Sequence, residues 1–424
     1  MSEPAPTDPR VLRLVAGEVS RRLGDNVRWG VYDRSRRTPL NAVLDLVSER
    51  VVRDPVLIWV DGGYPDVFTF PGLPSPVAVW STRHLEIASA VRNLVVGEAF
   101  SNQRRELSAR TMLSVMAELC LRAGHEREAA RLLLLSVRGQ DWFLPHSDIV
   151  MDLDVASIDE AYVAIWCFAL AHEFGHHLED GGSPDDRTLH RMVLDAVQAM
   201  PAIEGDPELF ARVVADLQGD AAHPLRAEHL RAEVAADLFA TETVIVASHE
   251  LMSASGGGRP RDGRLIAEIV IAHTALSFIQ RCRAVAEALN TRDDPLTWLR
   301  VLQMPAGSAV RSDFTQWYLA RALAGLTVGE SGSDNSRSLE AAVESVVGQL
   351  SPAVDVIDGG MADAMSTAIS PQASDSELLR DVQAECGQTG HYSLLRTENR
   401  NFIALAQALK PSEPLLSAVV ELLS

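Results

Sequence analysis

Lysine is nearly missing from this chain. Lys410 is the single example among 38 basic residues, which face 58 acidic ones and leave a formal net charge of −20 over 424 residues. A surplus of that size and sign excludes the cationic surface that unspecific binding to nucleic acid or to anionic membranes requires. The preference for arginine is read as a feature of coding composition and not of function. Cysteine is also scarce: Cys120, Cys167, Cys282 and Cys386 stand far apart and form no CxxC. They read as reduced, mostly buried thiols of a cytoplasmic protein. The start, Met1 to Pro6, has neither the basic nor the apolar region of a signal peptide. No segment combines the length and unbroken apolarity of a membrane span. A soluble, acidic, cytoplasmic protein without a nucleic-acid partner is therefore expected. Its apolar fraction of 47% is ample for a real core.

Against these absences stands one motif, His172-Glu173-Phe174-Gly175-His176, an HExxH set in a long apolar stretch. Two imidazoles four residues apart project from one face of a helix and can share a metal ion, with the glutamate placed beside an activated water. Local signals support the helix. Ser157-Ile158-Asp159-Glu160 has the form of a capping box, Ala161 to Leu170 continues without Pro or Gly, and Gly181-Gly182-Ser183-Pro184 is a stop. The predicted helix runs from about Ile158 to Leu178.

A catalytic zinc keeps three protein ligands and one open position, so a third ligand is expected downstream. The pattern HExxHxxGxxH is excluded, because Glu179 and Gly182 stand where Gly and His are required. The alternative is a glutamate on a second helix, predicted over Glu228 to Ala247, which carries Glu233-Val234-Ala235-Ala236-Asp237. Glu233 is the candidate ligand. Asp237, one turn on, is the candidate acceptor that fixes a ligating imidazole. Ala235, Ala236 and Ala240 would let the two helices approach closely. His229 is the rival third ligand.

In these residues the chain resembles the gluzincin metallopeptidases, and among them the group that includes the HtpX-like and CAAX prenyl proteases. The HExxH and Glu233-Val234-Ala235-Ala236-Asp237 carry the likeness. A third segment, Asp294-Pro295 through Arg300, is similar to the family's His-Pro, four residues, Arg. The resemblance implies oxyanion stabilisation by Arg300, while Asp294 replaces the family's histidine. It also implies an edge strand that binds extended peptide, assigned to Val77, Ala78, Val79 and Trp80 in a hairpin with Pro65 to Gly72. The familiar members are embedded in membranes, and this chain departs from them there.

The expected architecture is α+β and predominantly α-helical, a zincin-like core with a small β-hairpin or sheet. Residues 1–50 form an N-terminal helical region, and 51–305 the metallopeptidase-like domain with a helical insert at about 86–156. A connecting helix over 306–328, a Gly/Ser-rich linker at 329–338 and a C-terminal helical module over 339–424 follow. Within the insert, Leu107 to Val137 reads as two helices around Ala123-Gly124-His125, similar to one tetratricopeptide-like pair. The insert and the C-terminal helices are candidate surfaces for covering the cleft or binding a protein partner. His177 and His273 are expected to be non-ligating. His391, Tyr392 and Tyr318 are candidates for reaching the cleft.

The function expected from these readings is zinc-dependent hydrolysis of a peptide or protein substrate. Zn2+, one per chain, is held by His172, His176 and Glu233, and Glu173 is the general base. Two other expectations compete: a catalytically silent scaffold that keeps the fold, and a zinc hydrolase acting on a small-molecule amide.

Overall fold

A computed structural model describes residues 9–23, 28–34, 39–50, 55–60, 67–70, 75–97, 102–138, 160–180, 224–254, 262–291, 333–369, 374–389, 399–410 and 412–423, with isolated positions between 301 and 323 and Arg396. Twelve helices and four strands are seen among the described residues. In chain order they are α1 (Pro9–Leu23), β1 (Trp29–Val31), α2 (Pro39–Arg50), β2 (Val56–Val60), β3 (Phe68–Thr69), β4 (Val77–Ser81), α3 (Thr82–Val96), α4 (Arg104–Arg122), α5 (Glu126–Val137), α6 (Glu160–Asp180), α7 (Pro224–Ala254), α8 (Asp262–Asn290), α9 (Ser333–Ile369), α10 (Asp375–Thr389), α11 (Arg400–Leu409) and α12 (Pro414–Leu423). The chain is thus mostly helical with one small sheet, as expected.

The sheet is mixed, in the order β1-β2-β4-β3. β4 runs parallel to β2 with Ile58 opposite Val79, and antiparallel to β3 with Phe68 opposite Val79. The period of two along a strand sends alternate residues to opposite faces, and here both faces are covered. Ile58, Val60, Val77 and Val79 meet Val11, Val15 and Val19 of α1, whereas Leu57, Ala78 and Trp80 join the main core. This double burial explains why β2 and β4 read as continuous apolar runs rather than as alternating ones. It also corrects the boundary at residue 50. α1 caps one face of the sheet and β1 pairs with β2, so the N-terminal region is part of the same layered unit.

Between Ala164 and Ala171, α6 is apolar around its whole circumference, and Phe168, Leu170, Ala171 and, beyond them, Phe174 are all fully buried. A helix of that kind belongs in the middle of a fold. It packs against α7, α8, α2, β3 and β4, and Trp80 of β4 stacks near Trp166 at 4.9 Å. The capping-box residues Ser157 to Asp159 lie outside the described residues.

The predicted helical pair is present as α4 and α5. Its turn closes with His125 N–H donating to Cys120 C=O at 2.9 Å and Gly124 N–H to Leu121 C=O at 3.1 Å. Gly124 supplies the φ of 81° that this left-handed helix stop demands. The pair is no detachable insert. α3 starts directly from β4, capped by Ser81 Oγ, and α4 is packed against α8 and α9. The C-terminal helices are likewise not a separate module: α9 begins at Ser333, inside the expected linker, and its Leu339, Val343, Ile357 and Met361 belong to the main core. α5 is covered by α10 and α12.

One helix among the described residues, Gly263–Asn290 within α8, is long and apolar enough to cross a membrane, contrary to the expectation that none would be. Of its most apolar stretch 89% is buried inside the protein, which gives that apolarity a packing role.

Candidate metal centre

The site forms where α6 crosses α7. Both helices place small residues at the crossing: a Cβ added to Gly175 would lie 2.8 Å from Ala236 Cα and 3.1 Å from its Cβ. Only glycine allows that approach, so the second variable position of the HExxH sets the spacing between the helices. Glu233, one turn before Asp237 on α7, is thereby carried up to the two imidazoles.

The donor atoms converge. His172 Nε2 and His176 Nε2 are 3.2 Å apart, Glu233 Oε2 is 3.5 Å from the first and Glu233 Oε1 3.5 Å from the second. A tetrahedral zinc with bonds of about 2.0–2.1 Å holds its ligand atoms about 3.3–3.4 Å apart, and each imidazole nitrogen lies near that distance from one of the two oxygens of the Glu233 carboxylate. His172 is fully buried and its other nitrogen, Nδ1, lies 2.9 Å from Asp237 Oδ1. The contact places Asp237 beside the ring nitrogen that points away from the other donors. The Glu173 carboxylate is within 4.8 Å of ligand atoms on both imidazoles. Thr69 Oγ1 of β3 donates to its Oε2 at 3.5 Å.

Beneath these groups lies a polar cluster that the sequence did not reveal. Arg311 grips Asp237 with two hydrogen bonds, Nε to Oδ2 at 2.6 Å and Nη2 to Oδ1 at 2.9 Å. Its Nη1 reaches Glu233 Oε2 at 2.8 Å and Gln280 Oε1 at 2.6 Å. Gln280 in turn donates to Glu233 Oε2 at 3.2 Å, and His273 Nε2 lies 3.4 Å from Asp237 Oδ2. His273, expected to be a satisfied core histidine, is thus a neighbour of the buried carboxylate. No local pattern marks Arg311, which stands 74 residues beyond Asp237 in the chain.

Burial opposes charge on every one of these groups, and the neighbours decide the outcome. For His172, Asp237 and Glu233 overcome burial and push the imidazole up to about 10. For His176, burial together with the charge on His172 brings it down to about 4. Glu233 and Asp237 feel the same burial, but Arg311 and the imidazoles hold both carboxylates well below the usual range.

The other candidates separate from this cluster. Val77, Ala78, Val79 and Trp80 sit on β4, whose two edges are both paired and whose side chains are all buried, so this strand cannot accept a substrate strand. Among the described strands β3 is the outermost one beside the site. Tyr318 bonds Glu242 at 3.3 Å, and Glu242 lies roughly 13 Å along α7 from Glu233 at 1.5 Å per residue, so this tyrosine does not join the donors. His177 is half-buried and lies outside the cluster of His172, Glu173 and His176. Arg300, Asp294, His391, Tyr392 and the side chain of His229 lie outside the described residues.

No protein-family model matches this chain, and neither a curated protein nor a solved structure matches it. The site must therefore be judged by its own chemistry. Two imidazoles and a carboxylate, with a further carboxylate fixing one ring, form a donor set suited to zinc.

Proposed function

We propose that this protein is a zinc-dependent metallopeptidase of the gluzincin type. The observation that carries the reading is the approach of three donor groups: His172 Nε2 and His176 Nε2 lie 3.2 Å apart, and each is 3.5 Å from a different oxygen of the Glu233 carboxylate.

Zinc in such a site supplies Lewis-acid activation of water and of a carbonyl near neutral pH. The remaining work falls to the chain. With metal bound, His172 and His176 would present neutral nitrogens from one helix face, and Asp237 beside the first ring would keep it oriented. Glu173, partly exposed and steadied by Thr69, is placed to take a proton from water and to return it to the departing amine. Arg300 is proposed for the developing oxyanion. Arg311 is unsuited to that task, because all its nitrogens are already engaged by Asp237, Glu233 and Gln280.

A peptide or protein chain is the proposed substrate. The protein is proposed to act in the cytoplasm, where its buried thiols Cys120, Cys167 and Cys282 stay reduced.

The test is zinc content of the purified protein by elemental mass spectrometry, with His172→Ala and Glu233→Ala alongside, followed by a peptide-library digestion. About one zinc per chain that both variants lose, together with cleavage that Glu173→Gln abolishes, is the expected result. A wild-type protein that takes up no zinc would overturn the reading. Zinc without any cleavage would favour a silent scaffold.

A further inference from the structure

The hydrolytic reading leaves Arg311 without a task, yet it is 6% exposed and fully committed to the site. Glu233 and Asp237 lie one turn apart on α7, Asp237 without any exposure, and Glu173 stands nearby. Three carboxylates in so small a space repel one another and lose their hydration, and a buried acid whose partner is missing is strongly destabilising. A metal ion would answer this when present. Arg311 answers it permanently: its fork spans Asp237 with Nε and Nη2 while Nη1 reaches the Glu233 oxygen that also faces His172 Nε2. Gln280 closes the ring, accepting from Arg311 and donating to the same Glu233 oxygen. A lysine, with one point charge and no planar fork, could not span both acids.

We propose that Arg311 is the resident counter-ion of this centre, a positioning residue that keeps Glu233 and Asp237 folded in ligand geometry before any metal arrives. The proposal rests on the metal-centre reading for the identity of the ion whose charge Arg311 anticipates. Its consequence is that the chain folds without metal, in contrast to small zinc domains whose folding is the binding event. Removing the guanidinium should transfer that task to zinc.

The experiment is thermal unfolding of the full-length protein, chelator-treated or with zinc alone added, for wild type, Arg311→Gln, Arg311→Lys, Glu233→Gln and the Arg311→Gln/Glu233→Gln double variant. Metal-free wild type should unfold cooperatively, and metal-free Arg311→Gln should melt about 5–10 °C lower. Zinc should raise the midpoint of Arg311→Gln about twice as far as that of wild type. In the metal-free state the double variant should lose less than the sum of the two single losses, since removing the acid relieves the orphaned charge. An Arg311→Gln deficit that zinc leaves untouched, while wild type responds normally, would make Arg311 an ordinary structural ion pair and overturn the proposal. So would strictly additive losses. If Arg311→Gln is insoluble, Arg311→Lys decides: a zinc response between those expected for wild type and for Arg311→Gln supports the proposal, and a wild-type response on a lowered metal-free midpoint refutes it. Failure of the metal reading would show separately, as a wild type that neither retains zinc nor responds to it; the metal-free coupling of Arg311 with Glu233 then still decides whether Arg311 is the counter-ion.

Discussion

Two regions of this molecule bury charge, and they do so differently. Between α3, α4 and α8, Arg83 pairs with Glu118 at 2.6 Å and with Glu86 at 2.8 Å, and Arg92 with Glu268 at 2.7 Å. Glu86 is shared with Arg400 and Asn401, so cations and acids balance and the network closes on itself. Between α6 and α7, Arg311 faces Asp237 and Glu233, while two imidazoles and Glu173 crowd the same point. That second cluster holds three carboxylates against one permanent cation, Arg311. The balanced network fastens helices together, whereas the unbalanced one is the proposed metal centre.

Breaking the comparison begins with the ligands. His172→Ala or Glu233→Ala should abolish zinc retention, whereas Arg92→Met should leave zinc content unchanged; elemental analysis of the three proteins side by side reads both. Glu173→Gln should keep its zinc and lower peptide hydrolysis about 10²–10⁴-fold, measured as initial rates on a common substrate. Proton linkage sharpens the contrast further. In the metal-free protein His172 is pushed up to about 10, so it carries a proton at neutral pH that must leave before Nε2 can bind metal. Zinc affinity should therefore rise about tenfold per pH unit between pH 6 and 8, and titration calorimetry in buffers of different ionisation enthalpy should detect about one proton released. An affinity flat in pH would place His172 neutral beforehand. Truncating Arg92 itself should cost about 3–5 kcal/mol in chemical denaturation, with no effect on metal, because it leaves Glu268 buried and alone.

The smallest expected effect lies at the helix crossing. Gly175→Ala must push α6 off Ala236, an overpacking cost of about 1–3 kcal/mol that should appear both in denaturation and as weaker zinc binding. The equivalent change at Gly17, which has open space around it, should leave zinc binding unaltered.

The helices that carry the chemistry were legible in the chain because their signals are local. A Pro-free apolar run, an i, i+4 pair of histidines and a small-residue stripe beside Glu233 each follow from helical periodicity alone. The strand pairing was legible only in part. Phe68 to Thr69 and Val77 to Ser81 were visible as a hairpin, but nothing local told which of them is the edge, since that depends on β2, a distant strand that takes the far side of β4. The same limit applies to the supposed linker and insert: Gly and Ser at 329–338 look like a boundary, yet the helix that follows packs into the shared core.

The sequence by itself determined the candidate ligand types, their spacing and the helices that bear them, because these are properties of neighbouring residues. Tertiary structure alone decided that Glu233 meets the two imidazoles, that Gly175 sets the distance between α6 and α7, that β4 is paired on both sides, and that Arg311 supplies a buried positive charge. Each of those depends on contacts between residues far apart in the chain, whose energy comes from burial and charge pairing that no local pattern records.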